Sequence, residues 1–134
     1  MLPKFVFWTG ALDFLVGLGA WAGAVANQAP GQFVSLITLG TFLMMAAACL
    51  MWASQDIANR YPVIFWQGLV RFSAAAAVIY AVPRGIAEPW EYSLVAFDGT
   101  VSLVYIFGSM RTSGLPFFSC LMCRQAQGLL AGRR

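Results

Sequence analysis

Between Lys4 and Asp56 the only Lys, Arg, Asp or Glu is Asp13, and nearly everything around it is apolar. No soluble fold keeps so long a segment so free of charge. The rest of the chain repeats the pattern. Hydrophobic residues make up 60% of the 134 positions and charged ones 10%, where a soluble domain carries roughly 25% charged residues. A helix crossing a bilayer needs roughly 20 mainly apolar residues. Four runs meet that need, at about 5–26, 33–53, 62–82 and 92–110. The expected fold is all-α: an integral membrane four-helix bundle over residues 1–112, followed by a short amphipathic segment. The first run is too long for a secretory signal and carries Asp13, so it reads as a retained helix.

Charge placement sets the expected orientation. Four spans put both termini and the second loop on one side. That side holds Lys4, Arg60, Arg111, Arg124, Arg133 and Arg134; the other holds Arg84, and Arg71 lies inside a span. Basic residues accumulate on the cytoplasmic side, which predicts both termini inside. The net charge of +3 follows from this asymmetry and does not indicate nucleic-acid binding.

Within the first span, Gly10, Asp13, Gly17, Ala20 and Ala24 recur at spacings of three and four and share a face. Small residues let helices approach closely in lipid, so Gly10, Gly17 and Ala20 are the expected packing positions. The second span carries Ser35, Thr38 and Thr41, whose hydroxyls can bond a neighbouring helix or their own carbonyls. Trp52, Trp90 and Tyr92 fall where interfacial anchors belong. Ser54–Tyr61 reads as the inner connection, with Pro62 in the first turn of the third span. The fourth span shows a polar stripe, Asp98, Ser102, Tyr105 and Ser109, at i, i+4, i+7 and i+11.

Depth follows from a rise of about 1.5 Å per residue. Asp13 and Arg71 count to similar depths from the inner side, and Asp98 lies nearer the outer face. An isolated charge at mid-bilayer costs about 2.5–3.5 kcal/mol on insertion scales. The expected interior therefore pairs Asp13 with Arg71 and holds Asp98 close by, with Gln67, Ser102 and Tyr105 as supporting donors. Two readings stay open. The cluster either fixes helix register or forms a ligand or proton-handling site, the excess of acids over Arg71 favouring the second.

Residues 113–134 read as a cytoplasmic, basic, amphipathic segment on the membrane surface, with a frayed tail as the alternative. As a helix it puts Phe117, Phe118, Leu121, Met122 and Leu129 on one side and Cys120, Cys123, Arg124 and Gln127 on the other. Cys120 and Cys123 form a CxxC, short of the four ligands of a structural zinc. They read as two surface thiols, with lipidation or redox use as the other options, and no metal site is expected. The chain has no histidine, which removes His-ligated haem, the common zinc sites and a His-based triad. No glycine-rich nucleotide loop is present, since Gly10–Gly19 lies inside a span.

The segment Trp52-Ala-Ser-Gln-Asp56, Arg60-Tyr-Pro62-Val, Gly68 and Arg71, with Trp8-Thr-Gly10-Ala-Leu-Asp13 before it, resembles small four-helix bacterial membrane proteins of the DoxX-like kind. The resemblance covers spans one to three, and the basic CxxC tail departs from it. It implies a four-helix bundle with inward charges in a bacterial inner membrane. Some members of that group are associated with quinone-linked sulfur or redox metabolism, and distant relatives bind sterol-like ligands. The expected function is a non-enzymatic binding or accessory subunit. Its polar core would hold an apolar small molecule such as a quinone or lipid, or it would dock on a larger membrane complex. The partners expected are membrane lipid and either further copies of the chain or such a complex. The alternative is a small proton-coupled transporter using Asp13 or Asp98.

Overall fold

A computed structural model describes residues 1–28 and 30–123. Five α-helices run in order through them: α1 (Leu2–Asn27), α2 (Phe33–Ala53), α3 (Ile57–Ala81), α4 (Tyr92–Ser113) and the short α5 (Phe117–Leu121). No strand occurs among the described residues. Four segments are long and apolar enough to cross a membrane: Leu2–Asn27, Phe33–Ala53, Ile57–Arg84 and Pro89–Ser113. They cover the four runs expected from sequence. The chain divides into two compact units, Met1–Asp56 and Ile57–Arg134.

The first unit is an antiparallel hairpin of α1 and α2. Pro3 sits in the first turn of α1, where its missing N–H costs nothing. The helix ends at Gln28, which adopts a left-handed conformation (φ 44°) and donates its N–H to the Ala24 carbonyl. Gly31, at φ 78°, completes the reversal in a conformation that side chains resist. Glycine then sets the closeness of the pair. A Cβ on Gly17 would stand 2.8 Å from the Gly40 carbonyl oxygen, and one on Gly40 would stand 2.7 Å from the Gly17 carbonyl oxygen. One α1–α2 turn pair further along, a Cβ on Gly10 would meet the Ala47 carbonyl oxygen at 3.2 Å. Gly10 and Gly17 on α1, and Gly40 and Ala47 on α2, are thus matched at seven-residue spacing, two helical turns each. Gly10, Gly17 and Ala24 are buried, as the small-residue stripe implied, and Ala20 is half-buried.

The second unit pairs α3 with α4, again antiparallel, and adds α5. Here the chain departs from the expected boundaries. Ser54–Tyr61 is not all connection, because α3 begins at Ile57 and Pro62 lies inside it. Proline removes one helical hydrogen bond and disfavours the conformation before it. The turn forms nonetheless because Ile57 and Tyr61 are both buried. They open a series that continues through Ile64, Gly68, Arg71 and Ala75 at alternating steps of four and three, the spacing of a helix seam. The α3–α4 connection is built from two 3-10 turns, Val82–Arg84 and Pro89–Glu91. Gly85 (φ 69°) ends the first, and the Glu88 N–H donates to Glu91 Oε1 at 2.9 Å ahead of the second. α4 ends at Gly114, whose left-handed backbone (φ 68°) lets its N–H reach the Met110 carbonyl at 2.9 Å.

Large apolar side chains point outward along all four long helices. Trp8, Val34, Phe72 and Phe107 are more than half exposed, as are the interfacial candidates Trp90 and, at its margin, Trp52. Exposed apolar surface on this scale marks contact with something other than water.

Candidate polar site between α3 and α4

The seam of the second unit is where the polar residues gather. Gly68 lies against the α4 stripe: a Cβ there would stand 2.9 Å from Ile106 Cγ1, 3.1 Å from Tyr105 Cβ and 3.2 Å from the Ser102 carbonyl oxygen. One turn along α3 from Gly68, Arg71 Nη1 donates to Asp98 Oδ1 in a direct ion pair. Both side chains are mostly covered, with 11% of Arg71 and 21% of Asp98 exposed. The guanidinium also lies 5.7 Å from the centre of the Phe97 ring, within reach of a cation–π attraction. The pair is thus lined by an aromatic face and keeps an edge open.

The sequence expectation gathered Asp13, Arg71 and Asp98 in one interior. Arg71 and Asp98 meet within the second unit, and Asp13 is half-buried on α1 in the first unit. Consecutive helices joined by a short connection pack together by default, which brings Asp98 to Arg71. Gln67 is half-buried and Tyr105 fully buried. Ser102, expected to donate to the charges, is fully buried with no hydrogen-bond partner for its hydroxyl, and Ser109 is the same.

Those two hydroxyls contrast with others on the long helices. Thr9 donates to the Phe5 carbonyl at 2.8 Å, Thr41 to Ile37 at 2.8 Å, Ser73 to Val70 at 2.7 Å and Thr100 to Ala96 at 2.7 Å. Each satisfies itself within its own helix. Ser102 and Ser109 do not, and an unmet buried hydroxyl costs about 1–3 kcal/mol. The α4 stripe therefore holds hydrogen-bonding capacity along a closed seam, from Asp98 toward the C-terminal end of the helix.

At that end α5 folds back on the hairpin. Cys120 is fully buried and joins Tyr61, Phe65 and Ile106 in one apolar cluster, with Leu69, Met110, Leu115 and Leu121 packed around it. Its Sγ lies 3.6 Å from Ser113 Oγ and 3.7 Å from the Leu115 carbonyl oxygen. The Phe117 ring meets Phe65 edge-on at 5.2 Å between centres. The sequence reading had Cys120 on the polar, outer side of the tail and Phe118 and Met122 on the apolar side. The structure departs from this at Cys120, which points in, while Phe118 and Met122 are exposed at 76% and 70%. Helix periodicity alone carried that reading, whereas a five-residue helix takes its orientation from the hairpin it docks on. Cys123 is exposed, as read. Arg124, Gln127, Leu129, Arg133 and Arg134 lie outside the described residues. No group of three or more His, Cys, Asp or Glu able to hold a metal occurs among the described residues.

No protein-family model, no curated protein and no solved structure matches the chain.

Proposed function

We propose that the chain is a small integral membrane protein of the bacterial inner membrane, with four spans and both termini cytoplasmic. In this reading it is a non-enzymatic binding or accessory subunit. The Arg71–Asp98 pair anchors the polar end of an apolar small molecule, a quinone or lipid, or the polar contact of a larger membrane complex. The observation that carries the reading is that ion pair. It joins two segments apolar enough to span, lies beside the Phe97 ring and is partly exposed. A pair serving register alone gains nothing from an open edge. An accessible guanidinium–carboxylate pair beside an aromatic ring suits a ligand with one polar end and an apolar body. The DoxX-like resemblance of the first three spans supports the bundle and its inward charges and carries over no reaction.

Proton coupling through Asp98 has less support. Its carboxylate is already engaged by the Arg71 guanidinium, which commits it to a fixed contact.

The experiment is native mass spectrometry of the gently solubilised protein, wild type beside the Arg71→Gln/Asp98→Asn double variant. Wild type should carry a small molecule or a partner subunit that the folded double variant has lost. Equal occupancy in both, with helix content unchanged by circular dichroism, removes the pair from any binding role. A pH-dependent cation flux in vesicles, abolished by Asp98→Asn, would move the assignment to a transporter.

A further inference from the structure

The polar seam leaves one chemical group unused: the dithiol at the end of α5. We propose that Cys120 and Cys123 form a thiol–disulfide switch that docks and releases α5. Three observations carry it. The Cys123 N–H donates to the Cys120 carbonyl at 3.1 Å, which closes a four-residue turn. Such a turn holds its end Cα atoms within about 7 Å, and a disulfide spans about 4.4–6.8 Å between Cα atoms. The backbone is therefore already at bridging distance. The two thiols differ in access, because Cys123 is exposed and Cys120 fully buried. Cys123 also sits at φ 50°, a left-handed conformation that a β-carbon disfavours, so the turn stores a small strain that rearrangement relieves.

The chemistry balances with a low-molecular-mass disulfide as oxidant. The Cys123 thiolate attacks one sulfur of that disulfide. Its S–S bond breaks, one thiolate leaves and takes up a proton, and a mixed disulfide remains on Cys123. The Cys120 thiolate then attacks the Cys123 sulfur, forms the internal bond and expels the second small thiol. Two protein thiols are oxidised as the small disulfide is reduced to two thiols. The second step requires Cys120 to turn out of its cluster. It gives up Ser113 Oγ and the Leu115 carbonyl, and it takes the Phe117 ring off Phe65. The resting state on a reducing side is the docked dithiol, and oxidation frees α5 with the exposed apolar side chains of Phe118 and Met122.

Trypsin makes the test direct, since cleavage after Arg111 and Arg124 leaves both cysteines on one peptide and Cys49 on another. In the reduced, micelle-held protein, a maleimide should label Cys123 on the order of tenfold faster than Cys120, as local opening gates access. With oxidised glutathione the peptide should become lighter by two hydrogens. Amide exchange over residues 117–121 should rise on the order of tenfold, and dithiothreitol should reverse both changes. Cys123→Ser should abolish both while leaving α5 protected. The proposal fails if Cys120 labels as fast as Cys123, or if glutathione stays on Cys123 with no internal bond. It fails equally if the bond forms with exchange unchanged, or if exchange still rises in Cys123→Ser.

Discussion

Along α1 and α2 the closest approach is made by backbone: Gly17 and Gly40 each face the other's carbonyl oxygen, and nothing larger than hydrogen fits. Along α3 and α4 Gly68 serves this purpose, and what it faces is mostly side chain. The next turn is closed by the Arg71–Asp98 ion pair. The first hairpin is thus set by steric fit, which falls off within a few tenths of an ångström. The second is set by charge, which acts over longer distances and penalises the loss of one partner more than the loss of both. Two hairpins of one chain, with similar helix lengths and a similar apolar surface, use different means to hold their register. In the proposed function it is the hairpin held by charge that engages the ligand.

The strongest way to break this contrast is Asp98→Asn. It removes the carboxylate that Arg71 meets on α4, and a broken buried pair costs about 3–5 kcal/mol, the lower end applying to this partly exposed one. Adding Arg71→Gln should recover roughly half of the lost thermal midpoint in micelles, since charge coupling is non-additive. A double variant no better than the single one would show that the pair does not close the hairpin. Gly17→Ala comes next, at about 2–3 kcal/mol for overpacking against backbone that cannot yield. Gly68→Ala should cost less, about 1–2 kcal/mol, because its nearest contact is a side-chain carbon of Ile106 and the Ser102 carbonyl oxygen stands further off at 3.2 Å. Equal costs at the two glycines would erase the distinction between the hairpins. Phe117→Ala should lose about 0.5–1.5 kcal/mol of aromatic contact beyond the area term, read as faster maleimide labelling of Cys120. Gly19→Ala has the smallest effect and the opposite sign. A Cβ there meets nothing within 4 Å, so the helix should gain about 0.5–1 kcal/mol.

The four long helices were legible because length and apolarity leave little choice: a run of some twenty mainly apolar residues has few folded alternatives. The stripe of Gly10, Gly17 and Ala24 was legible for a similar reason, since periodicity assigns a face without knowing the neighbour. The start of α3 was not. Proline at position 62 argued locally for a helix beginning there, and burial of Ile57 and Tyr61 overrode that local preference. Depth gathered Arg71 and Asp98 in one cluster without saying which atoms meet, because depth is one coordinate and pairing needs two. The direction of Cys120 escaped for a third reason: in a helix shorter than two turns, the docking surface decides which side is inside. The orphaned hydroxyls of Ser102 and Ser109 leave no trace in sequence, since a serine at those positions reads alike whether or not it bonds its own helix.

The seven-residue matching of Gly10 with Ala47 and Gly17 with Gly40, and the alternating four-three series from Ile57 to Ala75, make each long helix a ruler as well as a strut. Deleting one residue from a helix turns everything beyond it by roughly 100°. A single deletion between Gly10 and Gly17 would present Leu18 at the Gly17 contact, where only hydrogen fits. One between Gly68 and Arg71 would swing the guanidinium off its carboxylate. Point changes on the outward faces leave both rulers intact. Length is therefore the less forgiving variable: these spans can vary freely in composition on their outer faces while their residue count between contact points stays fixed.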